Sequence, residues 1–547
     1  MHPHDSVGDP AHVSATEGGY SRNPCGPMLP ACRSRSNKNR LCWWRAACLL
    51  LMPATVSAAV RLPNVFGDHM VLQREMPVPV WGWADAGESV RVTFAGASAT
   101  ATADASGNWA LKLPAMAASA ESREMTVSGH TTLTFRDVLV GEVWLCGGQS
   151  NMESEMNWCC PEEGKTASIP TFRRIKAEHT LAATPQSDVK ASWAVCDNGA
   201  ASGFTAAGYY FARKLTRELK IPVGLLDTSW GGANISFWIP GESYRNLPAL
   251  RPQWEKETAQ AQAMTKAYLE TMEKWSADAR KSLETKDIIC ARAPFMPERR
   301  EFSHMFNGMV HPFAPFALRG MLWYQGEYNA NDGDYYIDEM RGLIQGWRGL
   351  WKQGDVPFYY VQLPNLDMPK DDPAGGDGWA TIRNVQTKVM AIPNTGMIVT
   401  IDVGEAGDIH PKNKLDVGER LARWALAKTY GKHLAFSSPF FKGMNVEGSA
   451  IRVAFVGAES GLMAGNKDGL KPVVEDKHAK LKRFAIAGED KKWVWADALI
   501  DGKTVVVSSP AVPKPVAVRY AFAHNPAGCN LYNKDGLPAS PFRSDDW

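Results

Sequence analysis

Several features that would direct the interpretation of this 547-residue sequence are scarce or missing. Only six of its ten cysteines follow residue 58, too few for a disulfide scaffold in a chain of this length. The cysteines match no zinc-ligand spacing and there is no His-Glu-x-x-His motif, so we expect no metal and no cofactor. The net charge is only +2 and no basic run suggests binding to nucleic acid.

The first 58 residues differ from the rest of the chain. A polar stretch rich in Gly and Pro precedes a short basic run, an apolar run at 41–56 and a small-residue cleavage site ending at Ala58. This pattern is typical of a secretory signal peptide, and the apolar run is too short and too interrupted to span a membrane. We therefore predict that residues 1–58 form a leader with a signal peptide, that the protein is exported to the periplasm or outside the cell, and that the mature chain has no membrane span. An anchoring helix is the alternative.

Three segments with different patterns follow the leader. Residues 59–137 contain short strands separated by turn signals, which favours a small β-sandwich. Between 138 and 432, apolar strands alternate with helices, which predicts a parallel sheet with helices on both faces and a polar, helical insertion at about 247–290. Residues 433–547 return to short strands and predict a second β-rich domain. The fold class is therefore α/β, with β-sandwich-like domains at both ends of the core.

Polar segments follow most of the predicted central strands. These strands are expected at residues 143–146, 223–226, 321–324, 358–362 and 397–401. The segments of interest begin at Gly147-Gly-Gln-Ser-Asn, Ser229-Trp-Gly-Gly, Gln325-Gly-Glu-Tyr-Asn and Asp402-Val-Gly-Glu. Because ligands of open parallel sheets bind outside the carboxyl ends of the strands, we expect these segments to converge on one crevice.

The residue types in these segments suit acyl transfer. Ser150 is the candidate nucleophile, because a glycine pair allows a sharp turn that exposes a serine at the sheet edge. A serine that only caps a helix is the alternative. His410 is the candidate base, since an imidazole with a pKa near ~6.5 accepts a proton at neutral pH. A carboxylate must orient that imidazole, and either Asp408 or Asp402 is placed to do so.

A tetrahedral intermediate also needs hydrogen-bond donors for its oxyanion. The sequence offers the backbone N–H groups near Ser150 and Gly231, together with a side-chain amide from Gln325 or Asn329. One such donor is typically worth about 3–4 kcal/mol of transition-state stabilisation. These groups follow three different predicted strands, so the hypothesis depends on the predicted crevice.

Four stretches in this order resemble the sialate O-acetylesterase family. They are Gly-Gln-Ser-Asn-Met, Ser-Trp-Gly-Gly, Trp-Tyr-Gln-Gly-Glu-Tyr-Asn and Asp-Ile-His-Pro-Lys-Asn-Lys. The resemblance extends from about residue 60 to residue 547, through Leu-Pro-Asn-Val-Phe-Gly-Asp-His near the start and Gly-Leu-Pro-Ala-Ser-Pro-Phe-Arg near the end. It implies an SGNH-type serine esterase with a flavodoxin-like core and no metal. By matching positions, Ser150 is the nucleophile, His410 the base, and Gly231 or Gly232 part of the oxyanion hole.

The resemblance and the crevice together define a wider set of site residues. The residues assigned to the oxyanion hole or to substrate binding are Gln149, Asn151, Gly231, Gly232, Gln325, Gly326, Glu327, Asn329 and Arg383. Arg383 is included because the carboxylate of a sialic acid requires a cation, and Arg319 is a second candidate; a structural salt bridge is the alternative for both. SGNH enzymes more often place the acid three residues before the histidine, where this chain has Gly407, so both aspartates stay open.

We therefore expect a secreted serine esterase that removes O-acetyl groups from sialic acid or related acetylated glycans. An acetyl-xylan or general carbohydrate esterase is the alternative on the same scaffold, since family resemblance specifies ester cleavage better than it specifies the sugar. A non-catalytic glycan-binding protein is a third hypothesis. It is disfavoured because a lectin has no use for a serine, a histidine and a carboxylate kept together.

Overall fold

The computed structural model describes residues 59–197, 199–285, 292–295 and 301–547. The predicted leader and signal peptide, residues 1–58, lie outside the described residues. None of the helices in the described part of the chain combines the length and the apolar character that a membrane span requires.

Short strands occupy the region before the central sheet. They are β1 (Val71–Gln73), β2 (Val78–Trp83), β3 (Ser89–Phe94), β4 (Ala97–Thr102), β5 (Asn108–Leu113) and β6 (Ser119–Ser128). β2 pairs with β5, and β3 pairs with both β4 and β6. Alternate residues of β3 are buried and exposed, as expected for a strand with one face on a core.

One long strand joins this region to the central sheet. β7 runs from Thr132 to Gly148, and its first part pairs antiparallel with β6. From Glu142 onward it pairs in parallel with strands of the central sheet. The predicted domain boundary at residues 137 and 138 therefore lies inside a continuous strand, so the amino-terminal strands lead into the core without a linker.

The central sheet is parallel except at one edge. Its other strands are β8 (Ile169–Lys176), β9 (Trp193–Cys196), β10 (Val223–Asp227), β11 (Gly320–Tyr324), β12 (Phe358–Val361) and β13 (Thr395–Ile398). The order across the sheet is β13-β12-β11-β7-β10-β8-β9, and only β9 is antiparallel to its neighbour. Every residue of β10, β11 and β12 is buried, as expected when helices cover both faces of a parallel sheet. The predicted α/β core is confirmed.

Helices connect these strands and cover the sheet. They are α1 (Ser150–Glu153), α2 (Met156–Cys159), α3 (Pro161–Thr166), α4 (Ala206–Leu219), α5 (Gly241–Asn246), α6 (Arg251–Thr285), α7 (Tyr335–Trp351), α8 (Gly378–Val389) and α9 (Lys414–Trp424). The hydroxyl of Thr205 caps α4 by accepting the Gly208 N–H. α6 is 35 residues long and buries none of them, so the predicted insertion at about 247–290 contains a long surface helix.

The carboxyl-terminal region is built from short strands around a second hydrophobic core. They are β14 (Phe440–Glu447), β15 (Ala450–Val456), β16 (Leu462–Asn466), β17 (Val474–Glu475), β18 (Phe484–Ala487), β19 (Trp493–Trp495), β20 (Asp497–Asp501), β21 (Thr504–Ser508), β22 (Ala517–Tyr520), β23 (Leu531–Asn533) and β24 (Phe542–Arg543). They form sheets in the orders β14-β15-β21-β20, β19-β18-β22-β24 and β17-β16-β23. β-Sheet regions therefore flank the core at both ends, as predicted.

The end of β7 gives a first testable prediction. Gly148 has φ of +132°, and a Cβ atom there would lie 2.2 Å from the Tyr324 carbonyl oxygen of β11. We expect Gly148→Ala to lower the free energy of unfolding by about 1–3 kcal/mol, because alanine disfavours that conformation and clashes with backbone. Gly349→Ala is the matched control, since an added Cβ in α7 meets nothing within 4 Å. Thermal denaturation of both variants measures the difference, and equal stabilities would contradict the strain argument.

Candidate active site

Ser150 lies at the carboxyl edge of the central sheet, directly after β7. The Gln149 N–H donates to the Tyr324 carbonyl at 3.0 Å, which ties the turn to the end of β11, and α1 begins at Ser150. β10 and β11 lie on the two sides of β7, so the loops that follow both strands border this turn. The chain changes its winding direction across β7, and such a point in a parallel sheet forms a crevice.

A histidine is in hydrogen-bond contact with this serine. The Nε2 atom of His410 lies 2.8 Å from the Oγ atom of Ser150. The Oδ1 atom of Asp408 lies 3.6 Å from the Nδ1 atom of His410, which is within ion-pair contact but too long for a hydrogen bond. The same oxygen accepts the backbone N–H of His410 at 2.8 Å, and this bond fixes the carboxylate beside the ring.

The structure places the second candidate acid elsewhere. Arg420 donates from Nη1 and Nη2 to the two carboxylate oxygens of Asp402, at 2.7 and 2.8 Å. Both side chains are almost fully buried, and the carboxylate is also 3.4 Å from the Tyr532 hydroxyl. Asp402 therefore anchors the start of the loop after β13 to α9, and Asp408 is the aspartate that the structure brings to His410.

The side chain next to the serine links the loops of the site. The amide nitrogen of Asn151 donates to the Glu327 carboxylate at 2.5 Å and to the Ile409 carbonyl at 3.0 Å. The ammonium of Lys414 donates to the amide oxygen of Asn151 at 2.6 Å and to the Pro411 carbonyl at 2.7 Å. The segment that carries the serine is thus fastened to the segment that carries the histidine.

Burial controls the protonation of this network. It lowers the pKa of Lys414 to about 8, which leaves the ammonium mostly charged at pH 7. Burial also raises the pKa of the Glu327 carboxyl. The pKa of His410 is lowered, first by burial and further by the positive charge of Lys414, while Asp408 acts in the opposite direction. The imidazole is therefore neutral near pH 7, as a base must be.

The glycine pair after β10 borders the serine. A Cβ atom built on Gly231 would lie 3.2 Å from the Cβ atom of Ser150. The Gly231 N–H donates to the Oε2 atom of Glu153 at 2.6 Å, and Oε1 of that carboxylate lies 2.8 Å from Nε2 of His179. Burial raises the pKa of Glu153, but its contacts with His179, Lys176 and this N–H lower that pKa by a larger amount, so the net shift is downward. A backbone donor and a charged carboxylate thus lie beside the serine.

Gln325 and Asn329 lie behind the glycine pair. The Gln325 amide donates to the Asn329 side-chain oxygen at 2.6 Å and to the Ala233 carbonyl at 3.2 Å. The same Asn329 oxygen accepts the Ile235 N–H, and its amide nitrogen donates to Asp332 at 2.6 Å. Both side chains are fully buried. Contrary to the sequence-based expectation, their amides hold the loop after β10 in place and do not face the crevice.

The other predicted residues of these loops shape the backbone. The side-chain oxygen of Gln149 is 3.5 Å from the Tyr328 N–H, which connects the loops after β7 and β11. Gly326 has φ of +156° and Gly232 has φ of +60°, so both occupy turns in the glycine-favoured region. Tyr328 itself is exposed.

The two arginines proposed to meet a substrate carboxylate are not in the crevice. Arg383 is fully buried, and its guanidinium donates to the carbonyl oxygens of Leu363, Pro364, Ala523 and His524. Arg319 is bound to the buried carboxylate of Glu142, near the amino end of the parallel part of β7. Each guanidinium is already occupied by the acceptors that surround it, so the structural alternative describes both arginines better than contact with a substrate.

Three residues of the site were missed by sequence reasoning. Lys414 is the last residue of the Asp-Ile-His-Pro-Lys-Asn-Lys stretch, and Glu153 lies three residues after the serine. The position of Lys414 in that stretch was the available signal. His179, in contrast, carries no motif and reaches Glu153 only through the path of the loop after β8, where its ring stacks on Trp230 with centroids 4.1 Å apart.

One group of described residues has the spacing of a metal site. Asp85, Glu88 and His130 bring their ligand atoms within 4.8 Å of one another in the amino-terminal region. Glu88 accepts backbone N–H bonds from Asp85 and His130, so its carboxylate already closes a turn. The group is separate from Ser150 and has no part in the chemistry considered below.

Comparisons with known proteins show the family to which this chain belongs. The family model for carbohydrate esterases, sialic acid-specific acetylesterases, matches residues 140–307 and 291–427. The sialate O-acetylesterase of Rattus norvegicus is 29% identical and covers 90% of this chain and 96% of its own length. That of Homo sapiens is 28% identical and covers 75% of this chain and 76% of its own. The crystal structure of a carbohydrate acetylesterase from Xanthomonas citri is 34% identical, covers 89% of this chain and all of its own, and superposes with a TM-score of 0.75.

The fold and these matches define a carboxylic ester hydrolase of the α/β type. More specifically, the chain belongs to the sialic acid-specific acetylesterase family of carbohydrate esterases, and it is a carbohydrate acetylesterase. The resemblance drawn from the sequence motifs is confirmed.

The buried lysine gives a second prediction. Lys414→Met keeps the length of the side chain but removes the hydrogen bonds to Asn151 and Pro411 and a positive charge near His410. We expect kcat to fall about 10- to 100-fold, because the base loses its support. We also expect the acidic limb of the pH profile of kcat/KM to move to higher pH, since that charge lowers the pKa of the imidazole.

Lys412→Met is the matched control, because Lys412 is an exposed lysine of the same loop. It should leave kcat and the acidic limb close to those of the wild type. A folded Lys414→Met protein with an unchanged pH profile would show that this linkage does not support the base.

Proposed function

We propose that this protein removes O-acetyl groups from glycans through an acyl-enzyme formed on Ser150. The observation that carries the proposal is the 2.8 Å contact between Ser150 Oγ and His410 Nε2, at the crevice of the sheet. A serine is a poor nucleophile until a base removes its proton, and a neutral imidazole at this distance is such a base. Membership of an acetylesterase family supports acetyl as the acyl group.

In the first half-reaction, Ser150 Oγ attacks the ester carbonyl carbon while Nε2 of His410 takes the hydroxyl proton. The carbonyl oxygen becomes an oxyanion, and the Gly231 N–H beside Ser150 is the backbone donor that we assign to it. In the free enzyme this N–H donates to Glu153, so the substrate oxygen competes with that carboxylate. The imidazolium then protonates the sugar oxygen, the C–O bond breaks, and acetyl stays on Ser150.

In the second half-reaction, His410 takes a proton from water as the water oxygen attacks the acetyl carbonyl. When the second tetrahedral intermediate collapses, the bond between its carbon and Ser150 Oγ breaks, the His410 imidazolium returns its proton to that oxygen, and acetate is released. In both halves the imidazole becomes cationic, and the Asp408 carboxylate beside Nδ1 stabilises that charge. Apart from the substrate and one water molecule, every step uses side-chain and backbone groups of this chain.

The sugar is either a sialic acid or an uncharged acetylated glycan such as xylan. Relatives named as sialate O-acetylesterases favour the first, and the carbohydrate acetylesterase of Xanthomonas citri leaves room for the second. A non-catalytic glycan-binding protein is the weakest alternative, because a lectin does not require a serine in contact with a histidine.

We also propose that the chain is exported by a signal peptide within residues 1–58, on the sequence pattern described above. The proposed domains are residues 59–137, 138–432 and 433–547. The separate hydrophobic core of the last region supports its division from the rest.

The nucleophile gives a third prediction. Ser150→Ala should lower the rate of acetate release by at least about 10³-fold, because no attacking oxygen remains on the enzyme. The thermal denaturation temperature should stay near that of the wild type, since the side chain is small and only partly buried. Acetate release from acetylated oligosaccharides and 4-nitrophenyl acetate hydrolysis both report the loss. A variant that keeps most of its activity on both would exclude Ser150 as nucleophile.

The two aspartates give a fourth prediction. Asp408→Asn should lower kcat by about 10²–10⁴-fold with little change in stability, because the imidazolium loses its carboxylate. The charge of Asp408 raises the pKa of His410, so removing that charge should also move the acidic limb of the pH profile of kcat/KM to lower pH. For the wild type, burial should already place this limb below pH 6.5, the ordinary value for histidine.

Asp402→Asn is the comparison variant. It should destabilise the protein by about 3–5 kcal/mol, because Arg420 is left buried without its carboxylate. Its kcat per folded molecule should fall less than that of Asp408→Asn. A severe kcat defect in folded Asp402→Asn beside an active Asp408→Asn would reverse the assignment of the acid.

A further inference from the structure

A tryptophan is exposed at the rim of the catalytic pocket. The cavity beside the serine has a volume of about 360 Å³ and is lined by Ser150, Glu153, Ser154, Glu155, Trp158 and His410. Trp158 is 42% exposed, and its ring lies edge-on to that of His410 with centroids 5.8 Å apart. Apart from the base, it is the one aromatic side chain among the described residues that line this cavity.

The local fold presents this ring to solvent in a fixed position. Met156 and Cys159, at the two ends of α2, are buried, while the residues between them are exposed. The Met156 N–H donates to the Phe204 carbonyl at 2.9 Å, and the backbone of Glu155 forms an isolated antiparallel β-bridge with that of Thr205. α2 is therefore attached to the segment before α4 by one face, and Trp158 lies on the opposite face.

The charges around the ring disfavour an anionic sugar. Glu153 and Glu155 line the cavity, and no lysine or arginine is among its described lining residues. The ammonium of Lys176 lies 3.4 Å from Glu153 and 3.8 Å from Glu155, so it is already paired with both carboxylates. The buried ammonium of Lys414 is bound to Asn151 and the Pro411 carbonyl. A sugar carboxylate in this cavity would lie near two carboxylates that share the single ammonium of Lys176, which offsets their charge only in part.

We propose that Trp158 and Glu155 form the sugar subsite of this esterase, and that the subsite takes an uncharged O-acetylated pyranose. The C–H face of a pyranose ring stacks on an exposed indole, and a carboxylate such as Glu155 accepts hydrogen bonds from sugar hydroxyls. A ring stacked on Trp158 lies next to His410 and presents an acetyl group to Ser150. This inference rests on the proposed function, since it names the substrate class of the same site.

The test compares two esters in the same variants. One is an acetylated xylo-oligosaccharide, which has a pyranose to stack, and the other is 4-nitrophenyl acetate, which has none. We expect Trp158→Ala to lower the ratio of kcat/KM for the glycan to kcat/KM for 4-nitrophenyl acetate about tenfold or more, mainly through the KM of the glycan. Trp158→Phe should restore part of the ratio, because it keeps an aromatic face.

Trp495→Ala is the matched control, because Trp495 is 36% exposed on β19 in the carboxyl-terminal region. It should leave the ratio unchanged. An unchanged ratio in Trp158→Ala would overturn the subsite. A wild-type protein that cleaves neither ester would overturn the proposed function together with the subsite, whereas cleavage of both with an unchanged ratio overturns the subsite alone.

The preference for an uncharged sugar is tested by comparing a neutral substrate with an anionic one. The wild type should cleave the acetylated xylo-oligosaccharide with a higher kcat/KM than an O-acetylated sialic acid at low ionic strength. Glu155→Gln should narrow that difference, because it removes one of the like charges near a substrate carboxylate. A wild type that prefers the sialic acid, with no change in Glu155→Gln, would overturn the assignment to an uncharged sugar.

Discussion

The amide of Asn151 is the contact on which the geometry of the site depends. Its nitrogen binds Glu327 and the carbonyl before His410, and its oxygen binds the ammonium of Lys414. The side chains of Asn151 and Lys414 are fully buried, so each of their polar atoms left without a partner would cost about 1–3 kcal/mol. The loops after β7, β11 and β13 are therefore stable only in the arrangement that satisfies this network. That arrangement also sets the distance between serine and histidine.

The route of the histidine loop explains why this fastening is needed. β13 lies at the edge of the sheet, separated from β7 by β12 and β11, so residues 399–413 must return across the ends of two strands. The ion pair of Asp402 with Arg420 fixes the start of this path, and Lys414 fixes its end. The loop is held at its start by a buried ion pair and at its end by a buried ammonium with two hydrogen bonds. His410 is far from Ser150 in the sequence, and these contacts keep its imidazole within hydrogen-bond distance of the serine hydroxyl.

Local patterns were sufficient to predict five of the six parallel strands of the central sheet, because apolar runs that end in glycine or polar residues are visible in the sequence. They also singled out the serine and the histidine that the structure brings into contact. β8 was missed, since Pro170 and two arginines interrupt its apolar residues. The choice between Asp408 and Asp402 was not predictable, because it depends on Arg420 across a folded contact. Arg383 was misassigned because a strand-end arginine in the sequence does not reveal the carbonyl groups that surround it.

The interior of this site and its rim differ in what membership of the family implies about their function. Asn151 and Lys414 are fully buried, and their hydrogen bonds join the loops that carry the reacting groups, so this network constrains ester cleavage. Trp158 is exposed and Glu155 is partly exposed, and both lie at the rim of the cavity, outside that network. Changes at such rim residues alter the sugar that is accepted without disturbing the chemistry, since function resides in sites placed on a shared fold. A family named for sialic acid can therefore include a member whose rim is suited to an uncharged sugar.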